Sequence, residues 1–283
     1  MAIPETIVDS SPDVAGFAVP DRRPPRPRRR GRGWEGLLLP LLVMVLWEVG
    51  ARVGFVSTRL LPSPSQIAHT VASLAASGDL VDHTVATLWR VLWGFLSGAA
   101  AATVLGAASG VSRRFRGFVD PTFQALRSIP SIAWTPLFIL WFGIFETPKV
   151  LLIAVGVFFP VYLALIEGIG SVDRKLVEVG RAYGFGTFTL TRRILLPAAL
   201  PTYLVGLRGG LGLGWMFVVA AEFLGATRGL GYLLVDGQMT GRPAVIIASI
   251  VLFAVLGKIT DWGLARAGSR LVSWQDDFQS RSA

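Results

Sequence analysis

Five ionisable residues are expected to lie within or near a bilayer: Arg90, Glu167, Arg208, Lys258 and Asp261. A charge at the centre of a membrane helix costs at least about 2.5 kcal/mol, so each of these needs a partner, a water-filled cavity or a lipid headgroup. Lys258 and Asp261 have the spacing to pair on one helix face. Arg208 lies about ten residues into its apolar run, on the order of 15 Å at helical rise. At that depth it is a candidate for attracting an anion along a pathway, or for pairing with Asp261 or Glu167 as a packing contact.

Other chemistries find little support. The chain has no cysteine, which removes disulfides, thiolate nucleophiles and Cys-based metal sites. His69 and His83 have no supporting carboxylate pattern, so no metal site is expected. A phosphate-binding loop needs G-x-x-x-x-G-K-[ST], but Gly257-Lys258 is followed by Ile259, and Leu252 stands where the first glycine belongs. No Ser-His-Asp or paired-carboxylate constellation occurs at workable spacing. The chain is read as a non-enzyme that binds no cofactor of its own.

The elements that must position the buried charges follow from composition. Of 283 residues, 52% are hydrophobic and 16% charged, and the mean hydropathy is +0.58, too apolar for an ordinary soluble domain of this length. The net charge of +9 does not point to nucleic acid, because the arginines lie between apolar runs rather than on one basic face. Six segments are apolar over about 20 residues, the length of a membrane span: roughly 35–54, 84–110, 124–145, 149–169, 199–224 and 243–266. The expected fold is an all-α polytopic membrane protein with six transmembrane helices. Residues 1–33 form an arginine- and proline-rich basic tail without a core, 34–83 the first span and an outer loop, 84–270 a five-helix core containing the loop 171–198, and 271–283 a C-terminal tail. Lysine and arginine concentrate before the first span, in 112–117 and in 171–198. The positive-inside bias therefore places these regions and both termini in the cytoplasm of a multi-pass cell-membrane protein.

Small residues recur every fourth position at Gly94, Gly98, Ala102, Gly106 and Gly110, and again at Gly206, Gly210 and Gly214. Such ridges let helix backbones approach closely in lipid, within one subunit or between two. Pro130 and Pro136 interrupt the third span and Pro160 the fourth. Each removes a backbone donor and kinks or breaks its helix, which suits a translocation pathway or a packing kink.

The loop EVGRAYGFGTFTLTRRILLP (178–197) is polar between two very apolar spans. At helical spacing Leu176, Val179 and Tyr183 share one face, while Arg174, Glu178 and Arg181 point elsewhere. Gly184 offers the left-handed conformation that ends a helix. Pro197 sets the entry of the next helix. Phe185, Phe188 and Leu190 need a cover, from a partner protein or from the subunit itself.

The spacing of Glu178, Gly184, Ile194, Leu196 and Pro197 resembles the EAA motif of permease subunits of ATP-binding-cassette importers, with Val179 and Gly180 replacing the two alanines. The likeness extends over roughly 50–275 and is greatest to the nitrate, sulfonate and taurine branch, in STRLLPSPSQI, TLWRVLWGF, LRSIPSIAWTPLFILWFGI and GLRGGLGLGWMFVVAAEFLGATRGLGYLL. Within it, STRLLPSP, ASGDL and LVEVGRAYG are most like aliphatic sulfonate permeases. The resemblance implies a type I importer (MetI-like) permease fold, in which Glu178, Val179, Gly180, Tyr183 and Gly184 form and end a coupling helix seated on an ATPase. Ile194, Leu196 and Pro197 would connect it to the next span, and Arg208, Pro130 and Pro136 remain pathway candidates. It also implies a second copy of the chain, two ATPase subunits that use ATP and Mg, and an extracytoplasmic substrate-binding protein. The cargo would be an anion, aliphatic sulfonate first, with nitrate, taurine or a pyrimidine precursor as alternatives. An ion-coupled secondary transporter is the competing class, but it would show repeated halves, and 35–145 does not repeat in 149–266.

Overall fold

The computed structural model describes residues 35–55 and 57–272, so the basic stretch 1–33 and residues 273–283 lie outside the described residues. The centre of the fold is α6 (Glu146–Gly170), 25 residues of almost unbroken Val, Leu, Ile and Phe. Helices α3 (Asp79–Val111) and α9 (Leu196–Phe223) clasp it from two sides. Both glycine ridges face α6. A Cβ on Gly98 would run into the Ala154 carbonyl, and one on Gly206 into the Ala164 methyl. On Gly210 it would lie 2.9 Å from Val161, and on Gly106 3.2 Å from Leu165. Ile153, Val157 and Val161 are fully buried in this sandwich, so the ridges act within the subunit. Dispersion contact between backbones replaces the hydrophobic drive that lipid does not supply.

Helix α11 (Pro243–Leu271) packs beside α9, and α10 (Leu230–Met239) lies between them at one end. The third apolar segment departs from a kinked span. It forms α4 (Arg113–Ser128) and α5 (Thr135–Phe142), joined by a tight turn at Ser131–Trp134 and bent by 92°. Pro130 stands at the elbow and Pro136 in the first turn of α5, where a missing N–H costs nothing. Pro160, by contrast, sits inside an unbroken α6, so the expected break there does not occur.

Among the described residues, four helices are long and apolar enough to cross a membrane, or five if the bent pair is one span. The expected sixth, α1 (Glu35–Arg52), carries Glu35, Glu48 and Arg52 in 18 residues, more charge than an apolar span of that length holds. Glu48 accepts from the Ser65 backbone N–H at 3.0 Å and from its hydroxyl at 2.8 Å. Ser65 lies in the first turn of α2 (Pro64–Ser77), a helix within the stretch expected to be an outer loop. Its start is a capping box: the Ser63 hydroxyl accepts from the Gln66 N–H at 3.3 Å, and the Gln66 side chain accepts from the Ser63 N–H at 3.2 Å.

The clasp predicts opposite signs for two alanines. Gly98→Ala should destabilise the protein by about 1–3 kcal/mol through overpacking. Gly209→Ala, with open space around the added methyl, should stabilise by up to about 1 kcal/mol through helix propensity. Thermal unfolding in detergent micelles reads both.

Candidate functional site

The loop after α6 is built locally. Asp173 caps α7 (Arg174–Ala182) by accepting from the Lys175 N–H at 2.9 Å. Gly184, at φ +74°, ends it. The Phe185 N–H reaches the Gly180 carbonyl at 3.0 Å and the Gly184 N–H the Arg181 carbonyl at 2.9 Å, the paired bonds of a Schellman cap. The Phe185 ring turns back toward Gly180, 3.6 Å from a Cβ built there.

That geometry accounts for the two residues that depart from the motif. Gly180 is buried, and a Cβ on it would come within 2.7 Å of the methyl ends of Ile194 and Leu190. Val179 is on the outer side, 54% exposed, with Leu176 (51%) and Tyr183 (78%). Thus α7 is apolar on both sides: Val177 and Gly180 close inward on Leu190, Ile194 and Phe185, and the expected face Leu176, Val179, Tyr183 looks outward. Leu190 is buried and Phe185 half-buried, while Phe188 is 79% exposed, so the described residues cover only part of this segment. Glu178 is exposed. Arg193 stacks over the Phe185 ring at 5.8 Å.

Pro197 does not begin a helix. Residues Thr187–Phe223 are continuously helical, through α8 (Thr187–Leu190), a π-helical turn at Thr191–Leu195 and α9. The Leu196 N–H reaches back to the Thr191 carbonyl. This wide turn makes room for the proline ring, which has no N–H to donate and would crowd the carbonyl four residues earlier.

Arg208 meets Asp261 of α11 through two bonds, Nε to Oδ1 at 2.8 Å and Nη2 to Oδ2 at 2.9 Å. The expected Lys258–Asp261 pair gives way to this forked contact, whose planar geometry a lysine cannot match. Arg208 and Glu167 both line a groove of about 620 Å3 between α6, α9 and α11.

A cluster at the far end of the bundle escaped the sequence reading. Arg90, 3% exposed, donates Nε and Nη2 to the Glu146 carboxylate at 2.6 and 2.8 Å. Its Nη1 donates to Glu222 Oε1 at 2.8 Å and to the Arg228 carbonyl at 2.6 Å. Glu222 is fully buried and also accepts from the Thr87 hydroxyl at 2.7 Å and the Gly231 N–H at 2.6 Å. The Leu230 N–H donates to Thr87, and the Gly229 N–H to His83 Nδ1. The first turn of α10 thereby rests on a carboxylate, which satisfies its free donors and complements its dipole. Arg90 was singled out in the sequence, but its partner Glu222 closes a long apolar run at AAEF, where an acid deserves the same scrutiny.

Residues 94–272 match the family of binding-protein-dependent transport system inner membrane components. The chain belongs to this family. The permease is 40% identical over 255 residues to the aliphatic sulfonates transport permease protein SsuC of Bacillus subtilis (strain 168), covering 90% of this chain and 92% of the relative. It is 33% identical over 246 residues to the taurine transport system permease protein TauC of Escherichia coli (strain K12), covering 85% and 89%. A chain of the inward-facing MetNI methionine ABC transporter superposes with a TM-score of 0.64 at 20% identity, covering 70% of the permease and 98% of that chain. That likeness is one of fold, and the permease has the MetI-like type I importer fold.

The buried cluster predicts a non-additive cycle. Arg90→Met alone leaves Glu222 uncompensated and should cost the permease about 3–5 kcal/mol. Arg90→Met with Glu222→Gln should cost less than the sum of the two single changes, as read by thermal unfolding of the four proteins.

Proposed function

We propose that this permease forms one half of a translocation pathway for a small organic anion, aliphatic sulfonate first, and that residues 171–198 couple it to ATP hydrolysis in a separate subunit. The observation that carries the coupling is the outward row Leu176, Val179 and Tyr183 on α7, with Phe188 beside it on α8. It is an apolar surface on a polar loop, held in place by the Asp173 and Gly184 caps, with no cover among the described residues. Its position in the motif, around Glu178, Gly184, Ile194, Leu196 and Pro197, supports an ATPase as the occupant. Two such ATPases would bind ATP and Mg, a second copy of the permease would complete the pathway, and an extracytoplasmic binding protein would deliver the cargo. The charge bias of the loops supports a cytoplasmic position for α7 and for both termini.

The cargo assignment is supported by the 40% identical relatives in Bacillus subtilis and Escherichia coli, both named for aliphatic sulfonates, above the taurine relative at 33%. Within the permease, Asp261 occupies the fork of Arg208, which favours a packing role for that arginine over a pathway role.

Tyr183→Asp and Val179→Asp should strip the ATPase from the purified complex and lower sulfonate-stimulated ATP hydrolysis roughly tenfold or more, as expected for charge placed in an apolar contact. The permease itself should keep its unfolding temperature, since both side chains are exposed. Retention of a stoichiometric, active ATPase by both variants would sink the coupling assignment.

A further inference from the structure

Helix α4 carries Arg113, Arg114, Arg116, Gln124 and Arg127, and none of its residues is buried. It is not confined to the end of the bundle. Phe123 packs edge-on against Phe158 and Tyr162 of α6 at 5.3 and 5.0 Å, and Arg127, one turn further along, shares a cavity with Phe159, near the middle of the 25-residue α6. Arg116 is paired with Asp120 at 3.3 Å. Arg127 is exposed and meets no carboxylate among the described residues. An unneutralised guanidinium at that depth is costly in lipid, so it faces water, a headgroup or an anion.

The surroundings define what kind of anion. Arg127, Arg116, Asp120, Gln124 and Tyr162 line a polar cavity of about 260 Å3. Beyond Phe123 and Phe159, which line both spaces, is a cavity of about 460 Å3 lined by Ala101, Leu126, Trp134 and Phe138, among other apolar residues. A forked cation beside a largely apolar pocket matches an ion with a charged head and an uncharged tail. Nitrate would leave the apolar cavity unfilled, and an aminosulfonate would have to carry its ammonium into it.

We propose that Arg127 receives the anionic head of the transported ion in the polar cavity, while the adjoining apolar cavity takes an aliphatic chain, so that the permease itself selects alkanesulfonates. This deepens the importer reading above and rests on it. The surplus positive charge of α4 adds a field that draws anions toward the site.

The test uses the full permease assembled with its ATPase and binding protein in proteoliposomes, with uptake of ethane-, butane- and hexanesulfonate measured separately. Arg127→Gln should lower uptake of all three roughly tenfold or more, the effect of losing a charge-assisted contact. Arg127→Lys should recover part of it. ATPase content and unfolding temperature should stay unchanged in both. Ala101→Leu, which narrows the apolar cavity, should lower hexanesulfonate uptake several-fold more than ethanesulfonate uptake. Unchanged uptake in Arg127→Gln overturns the head site, and so does a loss of ATPase content or folding that accounts for the defect. An equal effect of Ala101→Leu on all three chains overturns the tail site. If the wild-type complex hydrolyses ATP but moves no sulfonate, the anion reading fails first and this assignment with it.

Discussion

Everything in this bundle depends on how closely three backbones can approach. In lipid, side chains gain little by leaving one apolar medium for another, so α3 and α9 hold α6 by contact area alone. Glycine at every fourth position supplies that contact, bringing the Gly98 and Gly206 backbones directly against Ala154 and Ala164. Bulk is thereby displaced to the α4 side of α6, where Phe123, Phe158 and Tyr162 form an aromatic stack.

The two ends of this clasp are finished differently. At one end polar groups are locked in, with Arg90 bridging two carboxylates and the start of α10 seated on one of them. A buried ion pair of this kind adds little net stability but makes alternative arrangements costly, because any shift strands a charge. At the other end the caps of α7 use only backbone bonds and one aspartate, and apolar side chains are left facing out. The first end resists rearrangement, and the second is built to be touched.

Much of this was legible in the sequence. Glycine periodicity named the contact surfaces, because a repeat of four is a geometric statement about one helix face. Gly184 was identified as a helix terminator, and the φ of +74° bears this out. The face of Leu176, Val179 and Tyr183 was also identified correctly, although periodicity alone could not show that Gly180 on the opposite side is itself in tight contact. What the sequence concealed were partnerships across long separations. Asp261 is nearer in sequence to Lys258 than to Arg208, and only the packing of α9 on α11 reverses that preference. Likewise Arg90 and Glu222 are 132 positions apart. The helix α2 was a different omission, since Ser63-Pro64-Ser65-Gln66 states its capping box in four letters. At Pro160 the helix continues, because α6 is held on both sides by α3 and α9.

The unbroken helical path from Thr187 to Phe223 has a mechanical meaning. At 37 residues it is a rod about 55 Å long, joined to the exposed loop at one end and carrying Glu222 at the other. Its only irregularity is the π turn at Thr191–Leu195, close to the loop. Such a rod works as a lever whose fulcrum is the glycine seam against α6, with the π turn as a compliant wrist near the handle. The arginine-carboxylate cluster anchors the far end of the rod, so the compliance of the whole path is concentrated at the wrist.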